Sequence, residues 1–588
     1  MNNPFRGLLV ALLFPVLALA AEPPAASSTS EAKRPPGYAV ASAHPLATDA
    51  GLEILAQGGN AFDAAVAVSA ALAVVEPTGS GLGGGGFWMI HREFDDLDLV
   101  VDGREVAPIS ATGDMYLDRD GEPVAELSRN GPLASGIPGE PAALVHIARV
   151  FGELPLAQLL APAIRLAQDG FPVDEKLAGA IVDHLARFSP AALAVFVPDG
   201  SPLKAGDRLV QSDLAQTLRR FAQGGRDAFY GGETGARMLA GVRRDGGIWQ
   251  QKDLEDYRIV ERKPIVFLAG PYRVTVPPLP SAGGIAFQQV FQILGRKHWP
   301  PNDPVLARHQ MIEAMRRVYR DRAAWLGDPA FVEVPLEKLL SRDYTDALAD
   351  SIDLARATPS IELESPNETL REGDTTSHLS IIDAEGNRVS ATLSINLGFG
   401  SGYMAPGTGY FLNNEMDDFS AKPLAPNAYG LIGTKANVIA PHKRMLSSMT
   451  PLMIEGPDGV AVLGTPGGSR IISMTLLASL AYIYGYAPQD IVKLGRYHHQ
   501  FVPDTVVYEP GAFSQAEIDG LRKLGHQLSE SARYYGNMQI VVWDRKARTL
   551  SAVSDPRGIG AGRVVMQAPP NTQAGGQGRM IAADRQAN

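Results

Sequence analysis

The sequence contains no cysteine in 588 residues. That removes thiol nucleophiles, disulfides and thiolate-ligated zinc or iron–sulfur centres, so any nucleophile must carry oxygen or nitrogen. Positive charge is also in deficit: 53 Lys and Arg against 64 Asp and Glu leave a net charge of −11. Nucleic-acid binding takes most of its affinity from clustered Lys and Arg, and the balance here argues against that class of partner. Long blocks of like charge are missing too, and 20% charged residues beside 45% hydrophobic ones exclude disorder over the body of the chain. A chain of this length and composition can fill a large layered core.

Long apolar runs are scarce. The one that stands out, from Leu8 to Ala21, follows Arg6 and is short for a bilayer span. Ala18-Leu19-Ala20 has the small-x-small pattern of a signal-peptidase site, which predicts a signal peptide over 1–20, cut after Ala20 or Ala21, and export to a bacterial periplasm or beyond. An uncleaved anchor is the alternative. Residues 21–36 form a Pro/Ala/Ser spacer, and the tail after about Pro569 is rich in Gln, Gly and Ala.

What is present begins with ATDAGLEILAQGGNAFDAAVAVSAALAVV, 47 to 75. It predicts a helix broken at Gly58-Gly59 and a second, very apolar and therefore buried helix capped by Asn60. The loop after it, GSGLGG at 79 to 84, matches the dinucleotide fingerprint in letters, but it runs helix, glycines, strand where that motif needs strand, glycines, helix; close backbone packing is the better reading. A short extended run follows from Leu99 to Arg104. Helical spacing dominates from about Ala134 to Leu354, interrupted by the extended RKPIVFLAGPYRVTVPPLPSAGG. The stretch ATPSIELESPNETLREGD, from Ala357, offers few apolar anchors and predicts an exposed loop. It runs into Thr375-Thr376, after which SHLSIID, the tight AEGN connection and RVSATLSI predict a β-hairpin. Together these patterns suggest two sheets packed face to face with helices outside.

A threonine hydroxyl is a weak nucleophile unless a base lies within hydrogen-bond reach. If the peptide bond before it is cut, its own α-amino group, with a pKa of about 7.7 to 8, becomes that base. An internal Thr-Thr pair behind a polar approach fits a self-cleaving precursor, although by itself such a pair also fits plain β-propensity.

The residues downstream decide between these readings. Thr376-Ser377-His378-Leu379-Ser380, NNEMDDFSAKP at 413 to 423, KRMLSSMTP at 443 to 451 and GTPGGSRI at 464 to 471 resemble the γ-glutamyltransferase family of N-terminal-nucleophile enzymes. Upstream, GGNAFDAAVAVSAALAVVEP, GLGGGGF, DGREVAP, PSAGG and LGDP fall in the family's order, so the resemblance spans nearly the whole mature chain. It implies an αββα sandwich built from both halves of a precursor cleaved between Thr375 and Thr376, with a large subunit over 37–375 and a small one over 376–588. The family's T-x-H-x-S spacing selects Thr376 as the nucleophile. By the same resemblance Arg104, Ser447 and Ser448 hold a substrate α-carboxylate, Asp418 with Asn396 and Glu415 takes the α-ammonium, and the backbone N–H groups of Gly467-Gly468 stabilise the oxyanion. Such chemistry uses no metal or organic cofactor.

The residues depart from the family pattern in two places. Ser394 stands where many relatives have threonine but keeps a hydroxyl near the nucleophile. Glu415 stands where some bacterial relatives have glutamine and adds negative charge beside the ammonium site. Residues 420–430, with Tyr429, resemble a lid found in some members and are expected to cover the pocket. His378 is expected to be structural or processing-related. The implied function is transfer of a γ-glutamyl group, from glutathione or similar compounds, through a threonyl ester to water or to an amino-acid or peptide acceptor. A glutaryl-type cephalosporin acylase and an inactive binding relative are the alternatives.

Overall fold

Asn60 caps its helix as its position predicts. In the computed structural model, which describes residues 34–363 and 375–567, its side chain accepts from the backbone N–H groups of Phe62 and Asp63, and Asp63 accepts in return from Asn60. The two helices on either side of Gly58-Gly59 are α1 (Pro45–Ala56) and α2 (Ala61–Val75), and every residue of α2 is buried. Apart from Asp63 and Ser69 this helix is apolar on every face, which is why it belongs inside. The expected signal peptide, most of the spacer, residues 364–374 of the approach to Thr375 and the tail after 567 lie outside the described residues.

Two antiparallel sheets form the centre. The strands, in chain order, are β1 (Gly37–Ser42), β2 (Gly85–Arg92), β3 (Leu97–Asp102), β4 (Val260–Arg262), β5 (Ile265–Ala269), β6 (Tyr272–Val276), β7 (Ser377–Ile382), β8 (Arg388–Ser394), β9 (Leu452–Gly456), β10 (Gly459–Gly464), β11 (Gln539–Asp544), β12 (Thr549–Ser554) and β13 (Ala561–Met566). One sheet runs β13-β1-β7-β8-β2-β3-β4 and the other β12-β11-β10-β9-β6-β5. The sequence-adjacent pairs β4/β5 and β12/β13 are edge strands of different sheets, so the chain passes from one sheet to the other at both edges.

The expected hairpin is β7–β8, in register from Ser377 opposite Leu393 to Ile382 opposite Arg388. Asp383 fixes its turn by accepting from the backbone of Glu385 and Asn387, and Gly386 takes the left-handed conformation (φ +99°) that the reversal requires. Ala39, Phe87, Met89, Ile382, Met453, Val462 and Trp543 fill the space between the sheets. Helices α1, α2 and α3 (Glu140–Val150) cover the outer face of the first sheet, while α5 (Gly283–Arg296), α6 (Pro304–Trp325) and α7 (Ile471–Ile483) cover the second; α4 (Glu175–His184) lies on the first side. Helix, sheet, sheet and helix therefore stack in the expected order. Fully burying one such apolar side chain is worth about 1.5–3 kcal/mol, and each interface has dozens.

The glycine loop behaves as close packing. A Cβ on Gly84 would fall 2.1 Å from the carbonyl oxygen of Ser394, so only glycine lets this loop touch β8. Two expectations change. The extended run ends at Asp102 rather than Arg104, whose side chain is freed to turn into a pocket. The approach to Thr375 is not exposed throughout: Ser360 is buried, donates its N–H to Asp504 and its hydroxyl to Phe501 O, and accepts from Arg316, while Thr358 N–H donates to Glu313. Charged partners on α6 supply the anchoring that apolar side chains do not.

Candidate active site

Thr376 sits at the start of β7 in the central sheet, against the turn that follows β8. Its hydroxyl donates to the carbonyl oxygen of Thr375 and lies 3.5 Å from the hydroxyl of Ser394. Ser394 in turn accepts from Asn396 N–H at 2.8 Å. Asn396 adopts a positive φ of 73°, which turns its carbonyl toward two donors, the hydroxyls of Thr375 (2.6 Å) and Tyr429 (2.9 Å). Thr375 and Tyr429 thus share one acceptor.

Beside Thr376 is a narrow pocket lined by Arg104, Ser394, Asn396, Glu415, Asp418, Tyr429, Ser447, Ser448 and Gly468, among others. With Thr376 they come from seven separate stretches of chain. Asn413, which begins the NNEMDD run, ties that run to the glycine loop by donating to Gly83 O and Gly136 O and accepting from Glu415 N–H. The PSAGG segment supports the paired serines, since Ser447 N–H donates to Pro280 O and Ser281 donates to Met449 O. Gly468 has φ +55°, and a Cβ there would lie 2.4 Å from the Tyr429 ring, so ring and glycine require each other. Gly467 does not line this pocket, and Thr375 opens instead onto a second, larger cleft.

The electrostatics centre on Arg104, which is 1% exposed. Its guanidinium donates to Glu415 and, at 2.5 Å, to Asp418, and Glu105 approaches to 3.8 Å. Burial alone would weaken the guanidinium's hold on its proton; Glu415, Asp418 and Glu105 outweigh it and raise the pKa. Burial pushes Asp418 up to about 6, with repulsion from Glu415 adding to it and Arg104 opposing. Burial, with Glu415 next, pushes Glu105 well above the usual carboxylate range, and both of its carboxyl oxygens lack a hydrogen-bond partner. Glu415 and Asp418 both pair with Arg104, and the second buried guanidinium, that of Arg322, stands at the same pocket through Ser448.

Arg322 was not legible as a site residue. It belongs to α6, whose spacing reads as a covering helix, yet its guanidinium reaches in and donates to Ser448 Oγ at 3.3 Å. Nor was Asn427, which donates to Asp418 at 3.1 Å and fastens the 420–430 segment to the charged cluster. His378 is buried between Thr392 and Ser380 hydroxyls, and burial lowers it to about 3, so it is neutral. A Cβ on Gly464 would strike its ring at 2.3 Å; its place is packing within the sheet sandwich.

The comparisons with known proteins bear on the whole chain. The sequence model of the family described as Gamma-glutamyltranspeptidase matches residues 47–565. The chain belongs to this family. It is 38% identical over 528 residues to the glutathione hydrolase proenzyme of Escherichia coli K12, covering 88% of this chain and 90% of that protein. To the glutathione hydrolase proenzyme of Pseudomonas aeruginosa it is 39% identical, covering 94% and 99%. The acylase ACY 1 proenzyme of Pseudomonas sp. strain SE83 is 36% identical, covering 85% and 89%. Among solved structures, cephalosporin acylase from Bacillus halodurans superimposes with a TM-score of 0.79 at 28% identity over 92% of this chain and 98% of that one. The Helicobacter pylori gamma-glutamyltranspeptidase gives 0.52 at 35% identity over 54% of this chain and 93% of that one. Family membership makes the layered α/β architecture that of an N-terminal-nucleophile hydrolase, and the enzyme is a proenzyme-type member of it.

Proposed function

We propose that this protein is a glutathione hydrolase and γ-glutamyltransferase that cuts itself between Thr375 and Thr376 and then uses Thr376 as nucleophile. The observation that carries the reading is the meeting of the Thr376 hydroxyl, the Arg104 pairs with Glu415 and Asp418, and the Ser447-Ser448 hydroxyls, backed by Arg322, around one pocket. In the first reaction Thr376 Oγ1 attacks the Thr375 carbonyl carbon, the amide becomes an ester, and water hydrolyses it. The released α-amino group, with a pKa of about 7.7 to 8, then serves as base. The large subunit ends at Thr375 and the small one begins at Thr376, and the two remain paired.

In the second reaction the donor's α-carboxylate takes the place of Glu415 and Asp418 on Arg104, with Ser447 and Ser448 adding hydroxyl donors, and its α-ammonium moves onto the two carboxylates and Asn396. This exchange leaves the pocket's net charge unchanged. A zwitterionic α-carbon adds no net charge, whereas a glutaryl group, which lacks the ammonium, adds one uncompensated negative charge; buried charge without a partner costs several kcal/mol. Thr376 attacks the γ-carbonyl, and the backbone N–H groups of Gly467 and Gly468 stabilise the oxyanion. The ester passes to water or to an amine acceptor. Tyr429 and the 420–430 segment close over the pocket and must shift for a donor to enter.

The acylase reading keeps support from the ACY 1 relative and the Bacillus halodurans structure. Release rates from γ-glutamyl-p-nitroanilide and from its glutaryl analogue separate the two: we expect the γ-glutamyl compound to be preferred at least tenfold, and preference for the glutaryl compound would overturn the assignment. The N-terminal run supports export to the periplasm. Among the described residues no helix is long and apolar enough to cross a membrane.

A further inference from the structure

Thr376 is the point where two hollows meet. The narrow pocket holds Arg104 and Asp418 on one side. On the other, the same threonine opens onto a cleft of about 750 Å³ that shares none of those groups. Once an acyl chain fills the narrow pocket, the group that leaves and the group that arrives must both use this cleft.

Its wall nearest the nucleophile is the loop after α2. A Cβ on Gly79 would sit 3.2 Å from the carbonyl carbon and oxygen of Thr376, so the loop lies in contact with the nucleophile's backbone. Glu76, the first residue after α2, is buried, and its Oε2 accepts from Ser377 Oγ at 2.7 Å, one residue beyond Thr376. Its other oxygen faces Lys176 Nζ, on α4, at 3.4 Å. Lys176 is 47% exposed on its side chain and Glu76 9%. The pair therefore presents a fixed negative charge at the depth of the nucleophile and a movable positive charge toward the mouth. Glu126, Arg129, Glu175, Arg187 and Arg557 also line the cleft, with no charge belonging to the narrow pocket among them.

We propose that Glu76 and Lys176 form the acceptor subsite, built for a small zwitterion: an α-amino acid or dipeptide whose amino group is held at Glu76 and whose carboxylate is held by Lys176. The proposal rests on Thr376 carrying the acyl group. The acceptor arrives as an ammonium ion and gives one proton to the free α-amino group of Thr376. Its nitrogen then bonds to the acyl carbon as the bond from that carbon to Thr376 Oγ1 breaks. The second proton leaves the nitrogen for Oγ1, restoring the hydroxyl and yielding an amide. The carboxylate of Glu76 steadies the positive charge before attack, and Lys176 swings from Glu76 to the acceptor's carboxylate.

The test measures p-nitroaniline release from γ-glutamyl-p-nitroanilide by the processed enzyme, with glycylglycine or glycylglycine amide as acceptor. Lys176→Ala, at an exposed position, is expected to raise the KM for glycylglycine at least fivefold and that for the amide, which has no carboxylate, less than twofold. Glu76→Gln is expected to raise both, with the loss of transfer exceeding any loss of hydrolysis by at least tenfold. Equal changes for the two acceptors in the Lys176 variant, parallel losses of hydrolysis and transfer in the Glu76 variant, or donor hydrolysis that no amine accelerates in the wild type would each overturn the subsite. Absence of donor turnover in the wild type would sink the acyl-transfer reading and the subsite with it. A variant that fails to process is identified by intact mass before kinetics are read, and in that case the Lys176 variant decides.

Discussion

Replacing Asp418 by Asn removes one of the two carboxylates that balance the buried cations and keeps the side chain's shape. The substrate ammonium then loses a charge-assisted hydrogen bond in a dry site, worth about 1.5–3 kcal/mol. At 1.36 kcal/mol per decade that is about a 10- to 150-fold fall in kcat/KM for a γ-glutamyl donor. A glutaryl donor has no ammonium to lose, so its kcat/KM should hold or rise, because Arg104 gives up one competing carboxylate. The pH profile gives an independent check. The Thr376 α-amino base sets a first acid limb below about 7.7 to 8. Burial raises Asp418 to about 6, and only the ionised form pairs with the ammonium, so the fall in wild-type kcat/KM should steepen below 6 from about tenfold to about a hundredfold per pH unit. In Asp418→Asn the break near 6 should vanish and the α-amino limb alone remain. The assay is initial-rate release of p-nitroaniline between pH 4.5 and 9 for both donors. Equal losses for the two donors, or a break near pH 6 that survives in the variant, would refute the charge-exchange argument.

Other outcomes follow from the same geometry. Thr376→Ala should leave a single unprocessed chain with no turnover, read by intact mass and rate. Gly468→Ala should lower kcat more than tenfold with little change in KM, since a non-glycine residue at φ +55° is strained by about 1–2 kcal/mol and its Cβ would displace the Tyr429 ring. Glu313→Gln should destabilise by about 3–5 kcal/mol in denaturant titration, because it leaves the Arg316 and Arg317 guanidinium groups buried and short of a partner. Stability should fall on the acid side. Against burial, Arg316 and Arg317 hold Glu313 down to about 2, so its contribution is full above the unfolded value near 4.5 and is lost as pH falls toward 2. Burial also keeps His378 and His498 neutral down to about 3, so their contribution fades from about 6.5 downward. A thermal midpoint that stayed flat from pH 7 to 3 would contradict both shifts.

Local patterning made much of this legible. Asn60 behind two glycines announced α2, and the alternation around AEGN announced the β7–β8 hairpin, because both are set by residues within a few positions of one another. The order of the motif islands named the residues that meet in the pocket. The charge balance was out of reach. Arg104 finds its partners 311 and 314 residues away, and Arg322 reaches Ser448 across 126, from a helix whose spacing speaks only of burial. The pairing of Arg104 with Glu415 and Asp418 is a property of the assembled pocket, and no stretch of sequence contains it. Glu76 stayed hidden for a related reason: its letters close a helix, and only the sandwich brings it beside Ser377.

The most direct test of the central claim is the intact mass of the purified protein together with N-terminal sequencing of each fragment. The account predicts two tightly paired fragments, the smaller beginning Thr376-Ser377-His378-Leu379-Ser380. A single active chain, or a cut at any other bond, would contradict it.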